Sequence, residues 1–160
     1  MKRFAVALAV MMLLGPLQLS GQTGETIRGW EASFTEEEGD TPPAGGWRRV
    51  ELPGSFESLG GERAGRLWLR AEITTAAPSV VILPPLGFSA RVYMDGAIVH
   101  GAGGDGAGGP SAAFQTVALP HDPGRAATPR MLHIRLLHRQ ASWLGGSVEI
   151  VPAAAGFART

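Results

Sequence analysis

Five polar or aromatic residues of this 160-residue chain have the chemistry to bind a ligand. Arg70 and Glu72 interrupt an apolar alternation, and His100 ends a second alternating segment. Asp105 is the only charge in a glycine-rich stretch, and Trp143 lies in a predicted loop, where lid packing and ligand contact are equal alternatives. Such groups hydrogen-bond to hydroxyls or stack on the apolar face of a sugar ring. We predict that these five contribute to a site for a carbohydrate or similar polar small molecule.

The residue types of hydrolytic enzymes are present without the spacing that catalysis requires. Loop carboxylates such as Glu57 and Asp122 could act as an acid and nucleophile pair, but no pattern sets their separation. No serine has a G-x-S-x-G elbow. We predict no catalytic residue and no enzyme activity, and an intact small hydrolase is the least favoured alternative.

Cofactor and metal motifs are also absent from the sequence. The four histidines lack metal-ligand spacing, so no zinc site is predicted. The glycine-rich stretch 101–109 has no Lys-Ser/Thr ending and precedes a predicted strand, which favours a flexible loop over a phosphate loop. The acidic run 36–40 is interpreted as a solvated loop, although such loops can hold Ca²⁺. No cofactor is predicted.

The elements that must position these residues are predicted to be antiparallel strands. In the segment 66–73, leucine, alanine and isoleucine alternate with arginine, tryptophan and glutamate, so one face is buried and the other meets solvent or a ligand. Asp95-Gly96 separates two short runs and predicts a type I′ hairpin. The run Val80–Pro85 is apolar on both faces and predicts a central strand that is covered on each side. Strands are predicted near 27–34, 47–52, 66–75, 79–83, 89–94, 97–100, 114–119, 130–138 and 146–151.

Short strands with turn residues between them predict an all-β fold, an antiparallel β-sandwich. Trp30, Trp47 and Trp68 are predicted to pack in the core or at its edge. Trp68 differs from the other two in sharing its face with Arg70 and Glu72 rather than with the leucines. The predicted core comprises Val50, Leu52, Leu67, Leu69, Ile73, Val81, Val92, Leu132, Ile134, Leu136, Val148 and Ile150.

The amino terminus has the layout of a secretory signal peptide. A basic start, Met1–Arg3, precedes the apolar run Phe4–Leu14, and Gly15-Pro16 follows. We predict a signal peptide over residues 1–22, with an uncleaved anchor as the alternative, and hence a bacterial periplasmic or secreted protein. Cysteine is absent, so the domain relies on its hydrophobic core. Beyond the leader the 12 arginines face 14 acidic residues, which argues against a nucleic-acid partner.

Four motifs in order carry a family resemblance. Trp47 to Leu52-Pro53, Gly65–Arg70, Ala90–Gly96 and Leu132–Leu136 together resemble the galactose-binding-like jelly roll. This module is the N-terminal sugar-binding domain of family-two glycoside hydrolases such as β-galactosidase and β-glucuronidase. The present sequence also resembles the periplasmic input domains of seven-transmembrane histidine kinases and diguanylate cyclases. Leu69 stands where the family has Tyr, and Asp95 where it has Asn.

The resemblance implies a jelly-roll sandwich over residues 45–152, preceded by a strand and acidic loop (23–44) and followed by a tail (153–160). It implies a non-catalytic domain that binds a carbohydrate or other polar small molecule through loops at one end. The alternative is a sensor or protein-interaction domain, the detached or truncated input domain of a membrane histidine kinase or diguanylate cyclase. A fragment of a larger glycoside hydrolase or sensor kinase is also left open. No transmembrane span is predicted beyond the leader.

Overall fold

The structure is a computed structural model that describes residues 25–27, 29–36, 39–55, 57–59, 65–85, 89–101, 114–125, 128–137 and 146–156. This part of the chain forms antiparallel strands, one 3₁₀ turn at Pro123–Arg125 and one short helix. The strands are β1 (Glu25–Thr26), β2 (Glu31–Thr35), β3 (Arg48–Arg49), β4 (Arg66–Ile73), β5 (Ser79–Leu83), β6 (Ser89–Met94), β7 (Ala97–Gly101), β8 (Gln115–Ala118), β9 (Arg130–Leu137) and β10 (Glu149–Pro152), and the helix is α1 (Ala153–Gly156).

These strands form two stacked sheets. The smaller sheet has the order β1-β10-β5-β8, and the larger has the order β3-β2-β4-β9-β6-β7. Neighbouring strands are antiparallel in both sheets. The predicted all-β sandwich is therefore confirmed. Among the described residues, no helix has the length and hydrophobicity needed to cross a bilayer.

Most predicted strands are confirmed to within two residues, but the first is wrong. The segment 27–34 is not one strand, because β1 belongs to the smaller sheet and β2 to the larger. Gly29, with φ +80°, lies between them and adopts a conformation that glycine reaches without strain. The segment 47–52 contains only the two-residue strand β3. The predicted hairpin is confirmed, since Asp95 and Gly96 have φ values of 50° and 82°.

The main core fills the space between the sheets. Nine of the twelve predicted core residues are buried there, and Val50, Leu52 and Ile150 pack against it while partly exposed. Leu67 and Leu69 of β4 are both 0% exposed. Burying a leucine side chain contributes about 1.5–3 kcal/mol, so this interior supplies the main stabilisation of a domain without disulfides.

A second, small apolar cluster covers the outside of the smaller sheet. Val80 and Ile82 of β5 pack there with Val151, and Ala153 of α1 lies against them. The predicted covering of β5 on both sides is therefore confirmed. Helix α1 occupies part of the segment that was expected to be a tail.

Candidate functional site

The outer face of the larger sheet, remote from the smaller sheet, carries a cluster of polar and aromatic side chains. The alternation of β4 puts Trp68, Arg70 and Glu72 on this face. Trp68 is 0% exposed, so the face is not simply open to solvent. Residues 39–47, here called the β2–β3 loop, account for this burial, because they contact Ser33 and Arg135, the two residues directly opposite Trp68 on the neighbouring strands.

Hydrogen bonds hold the β2–β3 loop in place. The Ser33 hydroxyl on β2 donates to the Gly45 carbonyl at 3.0 Å. The Trp47 indole Nε1–H donates to the Pro43 carbonyl at 3.0 Å, which fixes the ring at the end of the loop. Arg135 of β9 donates through Nη1 to the Gly39 carbonyl at 2.8 Å. The loop is therefore tied to the sheet from both of its ends.

Trp47 brings an indole ring against a charged pair. The guanidinium carbon of Arg70 lies 4.2 Å from the centre of the Trp47 ring, in cation–π geometry. Arg70 Nε also donates to Glu31 Oε2 at 2.6 Å, from β4 to the neighbouring strand β2. Glu31 and Arg70 are half-buried and directly opposite each other in the sheet. An aromatic ring, a cation and a carboxylate thus meet at one half-exposed position.

His133 lies beside this group and is 9% exposed. Its strand β9 places it between Arg70 of β4 and Tyr93 of β6. The imidazole centroid is 5.9 Å from that of Trp47 and 6.4 Å from that of Trp68, with the Trp68 ring nearly perpendicular. Burial lowers the pKa of His133 below its usual 6.5, the Arg70 charge lowers it further, and Asp95 opposes both. The imidazole therefore favours its neutral form.

Two ring nitrogens under the loop have no hydrogen-bond partner within the described part of the chain. They are Trp68 Nε1 and His133 Nδ1, and both are buried. Buried polar groups are paired in the large majority of cases, so these two atoms are unusual. Residues Glu31, Trp47, Trp68, Arg70, Tyr93 and His133 are called the outer-face cluster below.

The other half of the outer face is organised by one carboxylate. Asp40, from the β2–β3 loop, accepts from Arg91 Nη1 at 2.9 Å (Oδ1) and 2.7 Å (Oδ2). It also accepts from Arg135 Nη1 and, at 3.4 Å, from the Tyr93 hydroxyl. Burial raises the pKa of Tyr93 above 10.0, with Arg135 acting in the opposite direction. We call Arg91, Tyr93 and Arg135 the arginine cradle.

The structure brings together only two of the five predicted site residues. Arg70 and Glu72 lie on the outer face, two positions apart on β4. They lie on a sheet face, in the strand where they were predicted, and not on a loop at one end of the sandwich. His100 is paired with Val92, a core residue, which puts it on the opposite face. Asp105 and Trp143 lie outside the described residues.

The other members of the outer-face cluster were not predicted as site residues from the sequence. The sequence analysis assigns Trp47 to packing and His133 only to the polar side of a strand. It interprets Asp40 as part of a solvated loop; the residue is exposed, and its carboxylate also forms ion pairs with two arginines, which were not predicted. One signal was available: β4 and β9 place aromatic and cationic residues at alternate positions on the same side, at 68 and 70 and at 133 and 135. A face of that composition is unusual for a purely solvated surface.

Comparison with known proteins identifies the fold. No protein-family model and no curated protein matches this sequence. Solved structures do match. A GH2 β-galacturonidase from Eisenbergiella tayi bound to galacturonate is 12% identical over 81% of this chain and 24% of that one, with a TM-score of 0.61. Ruminococcus gnavus β-glucuronidase with uronic isofagomine is 12% identical over 87% of this chain and 30% of that one, at 0.62. Faecalibacterium prausnitzii β-glucuronidase is 12% identical over 79% and 23%, at 0.58.

At this level of identity the likeness shows the fold and nothing further. The protein has the galactose-binding-like β-sandwich found in family-two glycoside hydrolases, as the motif resemblance implied. The chain spans less than a third of each of these solved proteins.

Proposed function

We propose that this protein is a non-catalytic β-sandwich that binds a carbohydrate, or a similar polar small molecule, on the outer face of its larger sheet. The observation that carries this proposal is the meeting of Trp47, Arg70 and Glu31 at one half-exposed position. Ligand sites combine apolar and aromatic surface with a few convergent polar groups, and this position has both. Glu72 is exposed two residues along β4 and extends the polar rim.

Each group has a role in such binding. The indole of Trp47 supplies a flat apolar surface for one face of a pyranose ring. Arg70 donates hydrogen bonds only, and Glu31 and Glu72 accept them when ionised, so the site offers hydroxyl groups both kinds of partner. Trp68 and His133, whose buried ring nitrogens have no partner among the described residues, belong to the same face.

The absence of catalysis belongs to the same proposal and is supported by the state of the carboxylates. Glu31, Asp40 and Asp95 are each in an ion pair with arginine. The oxygens of these carboxylates are therefore already engaged by arginine donors within the protein. We expect no turnover of chromogenic glycosides by the purified protein.

The periplasmic or secreted location is proposed from the leader sequence. Cleavage is expected close to Gly21 or Gln22. Intact mass measurement of the protein recovered from the periplasm or medium tests this expectation, and recovery of the uncleaved chain in the membrane fraction contradicts it.

A saccharide-binding survey with variants tests the proposed site. Binding of mono- and oligosaccharides is measured by calorimetry for the wild type, Trp47→Ala and Arg70→Ala, and each variant should weaken binding by at least about tenfold. Arg48→Ala is the matched control, since Arg48 is exposed on β3 but paired with core residue Ala32, on the other face. A wild type that binds no saccharide, or variants that bind as well as it does, would contradict the proposal.

A second candidate is a sensor or protein-interaction domain that acts on a membrane signalling protein. It is favoured by exposed apolar side chains, because Ile98 on the edge strand β7 is 56% exposed and Phe114 is 64% exposed. Edge strands and exposed apolar residues are common binding surfaces for other chains. The neighbouring reading frame separates the candidates: a seven-transmembrane kinase or cyclase supports this one, and a polysaccharide-degradation cluster supports the first. For this candidate, Phe114→Asp should abolish capture of that neighbour's product and leave saccharide binding unchanged, because Phe114 directly precedes β8 of the smaller sheet.

A further inference from the structure

We infer that the arginine cradle is a binding site for a ligand carboxylate, which its own Asp40 occupies when no ligand is present. The inference rests on the proposed function and narrows the ligand class to acidic saccharides, in which a carboxylate is attached to the sugar ring.

The register of β6 and β9 places two arginines side by side, and this arrangement favours a bound anion. Arg91 of β6 and Arg135 of β9 are directly opposite each other on adjacent antiparallel strands. Like charges in such cross-strand pairs repel each other and destabilise the sheet. The Arg135 side chain is only 5% exposed, so water cannot screen its charge well. An anion bound between the guanidinium groups therefore stabilises these two strands side by side.

The donors of the cradle converge on a single carboxylate. Arg91 contacts both oxygens of Asp40, while Arg135 and the Tyr93 hydroxyl contact Oδ1. All three donors come from the central strands β6 and β9 of the larger sheet. Side chains on such strands are held in place before a ligand arrives. The cradle is therefore a preformed carboxylate site.

The carboxylate that fills it comes from a different kind of element. Asp40 lies in the β2–β3 loop, 51 residues before Arg91 and 95 before Arg135. Its side chain is 57% exposed, in contrast to 18% for Arg91 and 5% for Arg135. A second carboxylate can approach from solvent and replace it without any change in the sheet. The loop carboxylate thus acts as an internal competitor.

The position of the cradle links it to a sugar ring. Tyr93 belongs to the cradle and also stacks on Trp68, with centroids 5.2 Å apart. Arg135 is directly opposite Trp68, and Tyr93 is directly opposite His133. A ligand whose neutral part lies over the outer-face cluster therefore has the cradle beside it. A carboxylate on that ligand gains charge-assisted hydrogen bonds that a neutral sugar cannot make.

Removing the competitor tests the inference. Asp40→Ala removes the Asp40 carboxylate from the cradle, so the melting temperature should fall in sodium chloride. Sodium acetate at the same ionic strength should raise it more in the variant than in the wild type. Asp122→Ala removes an exposed carboxylate bound only to the backbone of Gly124, and should show no extra effect of acetate. Adding Arg91→Ala to Asp40→Ala should abolish the acetate effect. If Asp40→Ala does not fold, Asp40→Asn keeps the side-chain shape and carries the same test.

Calorimetry with glucuronate and glucose provides the second test of the carboxylate site. Glucuronate should bind Asp40→Ala at least about tenfold more tightly than it binds the wild type, because an internal competitor lowers the apparent affinity by the fraction of time that it occupies the site. Glucose should bind both proteins equally. An acetate effect that is equal in wild type and variant overturns the inference, as does a glucuronate affinity no higher than that for glucose.

The two proposals fail separately. Acetate stabilisation of Asp40→Ala without binding of any saccharide supports the carboxylate site and contradicts the proposed function. Binding of neutral sugars that depends on Trp47, with no effect of acetate, supports the proposed function and contradicts the carboxylate site.

Discussion

His133 shows how a single buried side chain makes the stability of this sheet depend on pH. Burial and the Arg70 charge lower the pKa of its imidazole in the folded protein below 6.5, the usual value that holds in the unfolded chain. Between the two values the unfolded state binds more protons, so the free energy of unfolding falls as pH decreases. Above pH 6.5 the residue is neutral in both states and has no effect. We expect the melting temperature to drop as pH is lowered from 7 to 5.

His133→Gln isolates this contribution. Glutamine keeps polar atoms near the position and does not titrate, so the variant should lose less stability than the wild type over the same pH range. Chemical denaturation at pH 7, 6 and 5 measures the difference. Parallel profiles for the two proteins would show that His133 does not carry the pH dependence.

Gly65 occupies a position that has no room for a side chain, even for a single methyl group. A Cβ at this position would lie 2.4 Å from the Phe34 ring and 3.2 Å from the Thr35 carbonyl, so the ring or the backbone must move. Overpacking of this kind costs about 1–3 kcal/mol, and we expect Gly65→Ala to destabilise the protein by that amount in urea denaturation. Gly45→Ala is the control, because a Cβ there meets nothing within 4 Å. Equal losses in the two variants would contradict this account.

The residue scale is also where sequence reasoning succeeded least. Arg70 and Glu72 were placed correctly on a polar face, because strand alternation alone decides it. The burial of Trp68 was not predictable from that alternation, since it depends on a loop that folds back over the face. Likewise, Asp40 meets Arg91 and Arg135 across 51 and 95 positions of sequence. Such pairings depend on the order of strands in the sheet, which local patterns do not specify.

At the scale of elements, the β6–β7 hairpin was predictable and provides a direct test. Gly96 has φ 82°, and a Cβ added there would meet no other atom within 4 Å, so a new side chain causes backbone strain without a clash. Left-handed conformations cost other residues about 1–2 kcal/mol, and Gly96→Ala should lose that much stability. Asparagine tolerates this conformation better, so Gly96→Asn should lose less. Thermal unfolding of the three proteins measures the order, and an alanine variant as stable as the wild type would contradict it.

The elements that sequence patterns misjudged most are the two shortest strands, β1 and β3. β3 has two residues and the β1 segment has two, which is too short for a period of two to be visible. The split between β1 and β2 depends on Gly29, and glycine is equally compatible with a bulge inside one strand. By contrast, β4 and β9 have eight residues each and were placed almost correctly. The predictable strands are those in which apolar and polar residues alternate over many positions, because a long alternation specifies more buried contacts.

In the whole molecule, the inner and outer faces of the two sheets differ in composition. Their inner faces are apolar and enclose the main core. The outer face of the smaller sheet is closed by a small apolar cluster and α1, whereas the outer face of the larger sheet carries arginines, aromatics and His133. The sandwich and its core followed from alternation and composition. The location of the candidate site did not, because it depends on which of two outer faces the β2–β3 loop covers.

We expect the loss in free energy of unfolding to be larger for a substitution in the main core than for one in the small outer cluster. Leu69, 0% exposed on β4, faces the main core, and Leu69→Ala should destabilise the protein by about 2–5 kcal/mol. Ile82, 7% exposed on β5, faces the small outer cluster, where the cavity left by Ile82→Ala opens towards solvent and the cost should lie at or below about 2 kcal/mol. Urea denaturation with a common m-value gives both free energies. A loss for Ile82→Ala as large as that for Leu69→Ala would mean that the outer cluster is as important to the fold as the space between the sheets.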